Sequence, residues 1–174
     1  MQNFSFQGQA PEVFRQGMQR VKIIWTVLLA ASVASGIVIY AAENFAIRAI
    51  PTGLEPREAA LIYYILVFMG VAETIMAVVL RRVWLKKLSS LGEFPRSAEA
   101  QSEFIRSLLN IYIPSVVVPA AIGLSVAFYG VVLAFISIPS GNLWVFPILG
   151  IVGIWAVRPK SEDLEAYFPH ILSF

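Results

Sequence analysis

Hydrophobic residues fall along this chain in long blocks, separated by short polar stretches that carry nearly all of the charge. The first block, residues 23–42, holds no charged side chain and matches the roughly 20 residues that a helix needs to cross a bilayer. The second, residues 59–82, reads AALIYYILVFMGVAETIMAVVLRR and is apolar apart from Glu73 until Arg81 and Arg82 close it. A third uncharged stretch, from Arg106 to Arg158, is too long for one crossing. The cluster Ile138-Pro139-Ser140-Gly141-Asn142 is a strong turn signal, so the pattern predicts span three over 107–137 and span four over 142–157. Pro114 and Pro119 each remove a backbone donor from span three and predict a kink or tilt.

The expected fold is therefore all-α: a polytopic membrane protein with four transmembrane helices. Residues 1–22 form an N-terminal interfacial segment, 23–157 the bundle with a polar loop at 81–106, and 158–174 a C-terminal interfacial tail. Helix starts are signalled by Pro56 between Glu55 and Glu58, by Ser97, and by Ser161 ahead of Glu162 and Asp163. Of the thirteen Lys and Arg residues, only Arg48 and Arg57 lie between spans one and two; the other eleven share the opposite side. The positive-inside rule then predicts both termini in the cytoplasm. Trp25, Trp84, Tyr112 and Trp155 fall near the inner boundary, and Tyr40, Tyr63 and Trp144 near the outer one, as aromatic belts should.

Composition sharpens the class. Hydrophobic residues make up 58% of the chain and charged ones 14%, against roughly 45–50% and 25% in soluble domains. Cysteine is absent and the single histidine is His170, so thiolate chemistry and bis-histidine haem ligation inside the membrane are excluded. No Ser–His–Asp set, metal-ligand cluster, Walker loop or dinucleotide fingerprint appears. The sequence thus predicts no enzyme, no cofactor, no metal site and no nucleic-acid partner. The expected partners are membrane lipids and other integral membrane subunits, with a homo-oligomer left open.

Glu73 is the one chemically sharp position. An ionised group near the bilayer centre costs about 2.5–3.5 kcal/mol on insertion scales. Arg81 is eight residues away, about 12 Å along a helix, too far for direct pairing. Gly70 and Ala77 share the Glu73 stripe and would let another helix come close, so Glu73 is read as an interhelical polar contact or an ion-handling group. Ser32, Gly36, Gly150 and Gly153 are the other predicted packing positions. Trp25, Asn110 and Tyr112 are candidates for lining a lipid or quinone site.

The stretch GVAETIMAVVL, residues 70–80, resembles the carboxylate-bearing helix of ATP-synthase rotor-ring proteolipids. GLSVAFYGVVLAF, residues 123–135, resembles it too, without the acid. The resemblance implies a proton- or ion-carrying role for Glu73. The glycine-repeat partner helix and the polar Arg-Gln-Pro loop of that family are missing here. The whole chain resembles uncharacterised bacterial four-span membrane proteins, which implies a bacterial inner (plasma) membrane location. Three roles follow in order of expectation: an accessory or scaffold subunit of a larger membrane complex, an ion-handling protein using Glu73, and a lipid- or quinone-binding subunit.

Overall fold

The computed structural model describes residues 10–44, 54–92, 95, 97–136, 142–160 and 162–165. These residues form helices α1 (Ala10–Asn44), α2 (Pro56–Lys86), α3 (Ala98–Phe135), α4 (Val145–Ala156) and the short α5 (Glu162–Glu165), with a 3₁₀ turn at Lys87–Leu91 after α2. No strand occurs among the described residues. Three helices are long and apolar enough to cross a membrane: those spanning Pro11–Asn44, Pro56–Leu91 and Glu99–Phe135. The fourth, Val145–Ala156, is apolar but shorter, with 12 residues. At 1.5 Å of rise per residue it extends about 18 Å, against about 30 Å of hydrocarbon. The turn cluster expected around 138–141 and the tail beyond residue 165 lie outside the described residues.

Local chemistry sets the helix ends. Pro56 occupies the first position of α2, where a missing N–H costs nothing. The Glu58 carboxylate accepts from the Glu55 amide at 3.1 Å, satisfying a donor that the helix cannot. Ser97 caps α3, its hydroxyl accepting from the Ala100 amide at 3.4 Å. Gly92, with φ +79°, ends the 3₁₀ turn in a conformation that L side chains rarely adopt. Asn142 starts α4: its side chain accepts from the Trp144 amide at 3.0 Å and its carbonyl from the Val145 amide at 3.2 Å. The same carbonyl accepts the Tyr63 hydroxyl at 3.1 Å, tying this turn to α2. Helix α3 continues through both Pro114 and Pro119.

Two apolar clusters mark the ends of the bundle. One gathers Val21 of α1, Leu88 of the 3₁₀ turn, Phe104, Ile105, Leu108 and Tyr112 of α3, and Leu164 of α5. The other gathers Ile39 of α1, Tyr63 of α2, Leu133 of α3, and Leu143 and Phe146 around the start of α4. Consequently α1 and α3 run parallel, and α2 and α4 run against them. Helix α3 is the hub, packed against α1, α2 and α4. Many large apolar side chains on the outer helices face outward, among them Phe68, Tyr64, Ile37, Val27 and Ile75. In lipid such residues cost nothing, and helix association depends on close packing rather than on hiding apolar surface from water.

Helices α3 and α4 come close together at two glycines. A methyl group at Gly150 would sit 2.6 Å from the Gly123 carbonyl oxygen, 2.8 Å from the Ala127 Cβ and 3.0 Å from the Ser32 hydroxyl. One at Gly123 would meet the Gly150 carbonyl at 3.0 Å. Three helices therefore meet at a point that only hydrogen atoms can occupy. Gly153 differs, because its nearest neighbour would be the Thr74 methyl at 3.5 Å, an ordinary contact. Gly150→Ala should lower stability by about 1–3 kcal/mol through overpacking against immobile backbone. Gly153→Ala should be neutral or stabilising by up to about 1 kcal/mol, the usual helical gain over glycine. Thermal unfolding of the two variants in detergent measures the contrast; equal effects would contradict this packing.

Candidate functional site

Glu73 lies near the middle of α2, half-buried, with its carboxyl turned toward α3. The Tyr129 hydroxyl donates to its Oε1 at 2.6 Å. Ser125, one turn before Tyr129 on the same face of α3, brings its Oγ within 3.3 Å of Oε2. Ser125 has a single hydroxyl proton and also bonds the Ile122 carbonyl at 2.7 Å, so Tyr129 is the firm donor. Gly70 permits this juxtaposition. A Cβ there would approach Val126 of α3 at 3.0 Å, so the missing side chain lets α2 and α3 close up one turn from the acid. On the same side of α2, Ala77 is fully buried and the Thr74 hydroxyl donates to the Gly70 carbonyl at 2.8 Å.

The carboxyl is enclosed on one side only. Ser125 is exposed, as are Met69 and Met76, one turn before and after Glu73, and Phe128 of α3. An acid at the middle of an apolar helix thus meets two hydroxyls on its inner side and a rim of methionine and phenylalanine on its outer side. Oxygen ligands on one side and an open approach on the other suit a hydrogen-bonded contact with a further helix, or transient binding of a cation or proton.

Among the other packing positions, Ser32 and Gly36 are both buried. A Cβ at Gly36 would approach the Trp144 ring at 3.2 Å. The Ser32 hydroxyl lies at the Gly123–Gly150 crossing with no hydrogen-bond partner among the described residues.

Trp25 packs against the apolar cluster that contains Tyr112, whereas Asn110 lines a groove on the α1–α3 side. Tyr112 is fully buried, and its hydroxyl is engaged twice by the backbone of Lys160, donating to the carbonyl at 3.0 Å and accepting from the amide at 3.1 Å. The Trp25 indole donates to the Ile154 carbonyl at 2.9 Å and packs on Trp155 at 5.9 Å between ring centroids. Asn110 is exposed and lines a groove between α1 and α3 that contains neither aromatic residue.

Tyr112 instead belongs to a second polar assembly at the end of the bundle, where the chain after α4 folds back. Arg81, only 6% exposed, forms an ion pair with Asp163 of α5. Leu164 is fully buried in the adjoining cluster. Arg158 stacks on the Trp155 ring, 5.4 Å from its centroid. Arg81 Nη1 is buried without a hydrogen-bond partner among the described residues, which makes the remaining pair to Asp163 more consequential. Residues 158–160 and 162–165 thus form a strap across α2 and α3.

Sequence reading found Glu73 but not its partners. Ser125 and Tyr129 stand four residues apart, a spacing that places them on one helix face. Asp163 is 82 residues from Arg81, and no local pattern joins them. Gly123 and Gly130 also went unassigned as packing positions. A Cβ at Gly130 would meet the Ile39 side chain at 2.8 Å and the Leu143 carbonyl at 3.0 Å.

Comparison with known protein families, with curated proteins and with solved structures finds no match for this chain.

The strap makes a direct prediction. Asp163→Ala leaves a buried guanidinium without its counter-charge and should cost on the order of 3 kcal/mol. Replacing both partners with apolar residues, Arg81→Met with Asp163→Leu, should recover most of that loss, because no charge is then stranded. Detergent-phase unfolding of the single and double variants gives the comparison.

Proposed function

We propose that this protein is a non-catalytic integral membrane subunit that binds a partner within the bilayer through its α2–α3 face. The observation that carries this reading is the one-sided enclosure of Glu73. Its carboxyl is held by Tyr129 and Ser125 from within, while its outer flank opens between exposed Met69, Met76 and Phe128. A carboxyl beside lipid is costly. A second helix laid over this face would complete its hydrogen bonding and exclude lipid from it. Methionine is flexible and polarizable, so a Met-edged face adapts readily to an incoming surface.

In this proposal α4 completes a fourth crossing, aided by its flanking turns and by local bilayer thinning. Both termini then lie on the cytoplasmic side of a bacterial inner membrane, the side that carries eleven of the thirteen basic residues. The bundle geometry supports this arrangement, since Val21, Leu88, Phe104 and Leu164 meet at one end.

A photo-crosslinking residue at Met76 or Phe128 should give one discrete adduct in native membranes, and one at Ile37 on the α1 face should give none. Glu73→Leu should reduce the adduct several-fold. An adduct at twice the chain mass would assign the face to self-association. A chain that stays uncrosslinked at both sites and migrates as a monomer in mild detergent refutes the proposal.

A second reading makes Glu73 an ion or proton carrier. It is favoured by the oxygen ligands that Tyr129 and Ser125 place within 2.6 and 3.3 Å of the carboxyl. In reconstituted vesicles Glu73→Gln should then abolish flux while the protein remains folded. Absence of flux in the unaltered protein, or persistence of flux in the variant, rejects it.

A further inference from the structure

A different site lies at the end of the bundle that holds the strap, on the side formed by α1 and α3. Because these helices run parallel, the points where both become continuously apolar fall side by side. Arg20 stands three residues before Ile23, where the uncharged run of α1 begins, and Arg106 stands immediately before that of α3. The two arginines line a common groove of about 230 Å³.

The floor of this groove is apolar. Gly17 is buried, and Leu109 fills the space where its side chain would be. Val13 and Ile113 continue the floor along the two helices. The Gln16 and Asn110 amides complete the polar rim. Neither Arg20 nor Arg106 takes part in an ion pair or hydrogen bond among the described residues. The nearby acid of α1, Glu12, is occupied by Arg15 at 2.9 Å and Gln16 at 2.8 Å. Glu103, one turn before Arg106, is exposed and makes no ion pair with it.

Two arginines thus line one groove whose lining includes no carboxylate, beside an apolar floor and at the level where both helices become continuously apolar. Guanidinium forks match phosphate oxygens bidentately and are more weakly hydrated than ammonium groups. Basic pockets between helices at this level suit anionic lipid headgroups. We propose that the groove of Arg20 and Arg106 is a binding site for an anionic phospholipid. The phosphate lies between the two guanidiniums, the glycerol region hydrogen-bonds Gln16 and Asn110, and an acyl chain follows the floor past Leu109 and Ile113. This site lies away from Glu73 and does not depend on the α2–α3 face binding a partner.

The test is native mass spectrometry and thermal stability of the full chain in neutral detergent, titrated with phosphatidylglycerol, phosphatidylcholine or inorganic phosphate. The unaltered protein should retain phosphatidylglycerol at least ten-fold better than phosphatidylcholine. Arg20→Gln with Arg106→Gln should abolish that preference. Arg82→Gln with Lys87→Gln, which removes the same charge outside the groove, should leave it intact. Should the glutamine pair fail to fold, Arg20→Lys with Arg106→Lys keeps the charge but removes the forks and should lower retention three-fold or more. The site is overturned by no preference in the unaltered protein, by equal loss in the Arg82/Lys87 variant, or by lysines that bind as well as arginines. Stabilisation by inorganic phosphate as strong as that by phosphatidylglycerol would overturn the lipid as occupant and assign the groove to a soluble phosphate.

Discussion

The Gly123–Gly150 crossing is the constraint on which the bundle depends. Within a bilayer the hydrophobic effect does not hold helices together, because lipid tails are as apolar as leucine. What remains is dispersion, which is weak per atom pair and decays steeply with distance, so it rewards only backbones that come close. Helix α3 touches each of the other long helices, and small residues stand at its crossings. Gly123 meets Gly150 of α4, Gly130 meets Ile39 of α1, and Val126 seats against Gly70 of α2. At the end of the bundle, Leu109 fills the notch at Gly17 of α1. The positions of Glu73 and of the α1–α3 groove both follow from these approaches, since Gly70 and Gly17 stand beside them.

The polar groups follow a second rule, that a side chain taken out of water must find its partner on another element. Glu73 finds Tyr129, Tyr63 finds the Asn142 carbonyl, Trp25 finds the Ile154 carbonyl, and Tyr112 finds Lys160. Each bond joins elements that are distant in sequence, and together they set helix register where packing alone would allow sliding. The buried hydroxyls of Ser35 and Ser115 turn instead to carbonyls of their own helices, and among the described residues the Ser32 hydroxyl and Arg81 Nη1 are left without a partner.

Much of the helical layout was legible from residue patterns. The uncharged run at 23–42 lies within α1, Pro56 and Ser97 mark the starts of α2 and α3, and the short apolar segment after Asn142 became α4. These are local signals, read from spacing and cap chemistry. The polar partnerships were less legible, because topology rather than sequence distance decides them. Tyr112 illustrates the difference. A tyrosine near a membrane boundary reads as an interfacial or ligand-lining side chain, and only the returning strap shows that its hydroxyl is spent on the Lys160 backbone. Similarly, Arg81 reads as a flanking charge until Asp163 is placed beside it. Glu73 could be singled out because an acid in an apolar run is costly wherever it points, but Ser125 and Tyr129 stand among ordinary membrane residues.

The pairing of Arg81 with Asp163 bears on the order in which the molecule is assembled. The two residues are 82 positions apart, and the aspartate follows α1 through α4 in the chain. During synthesis α2 therefore emerges while its guanidinium has no counter-ion, and the arginine stays without one until residue 163 has been made. Only then can the strap fold over and draw the charge inward. The segment that carries Asp163 is thus a latch, and a chain stopped before residue 163 would leave this end of the bundle open with Arg81 uncompensated.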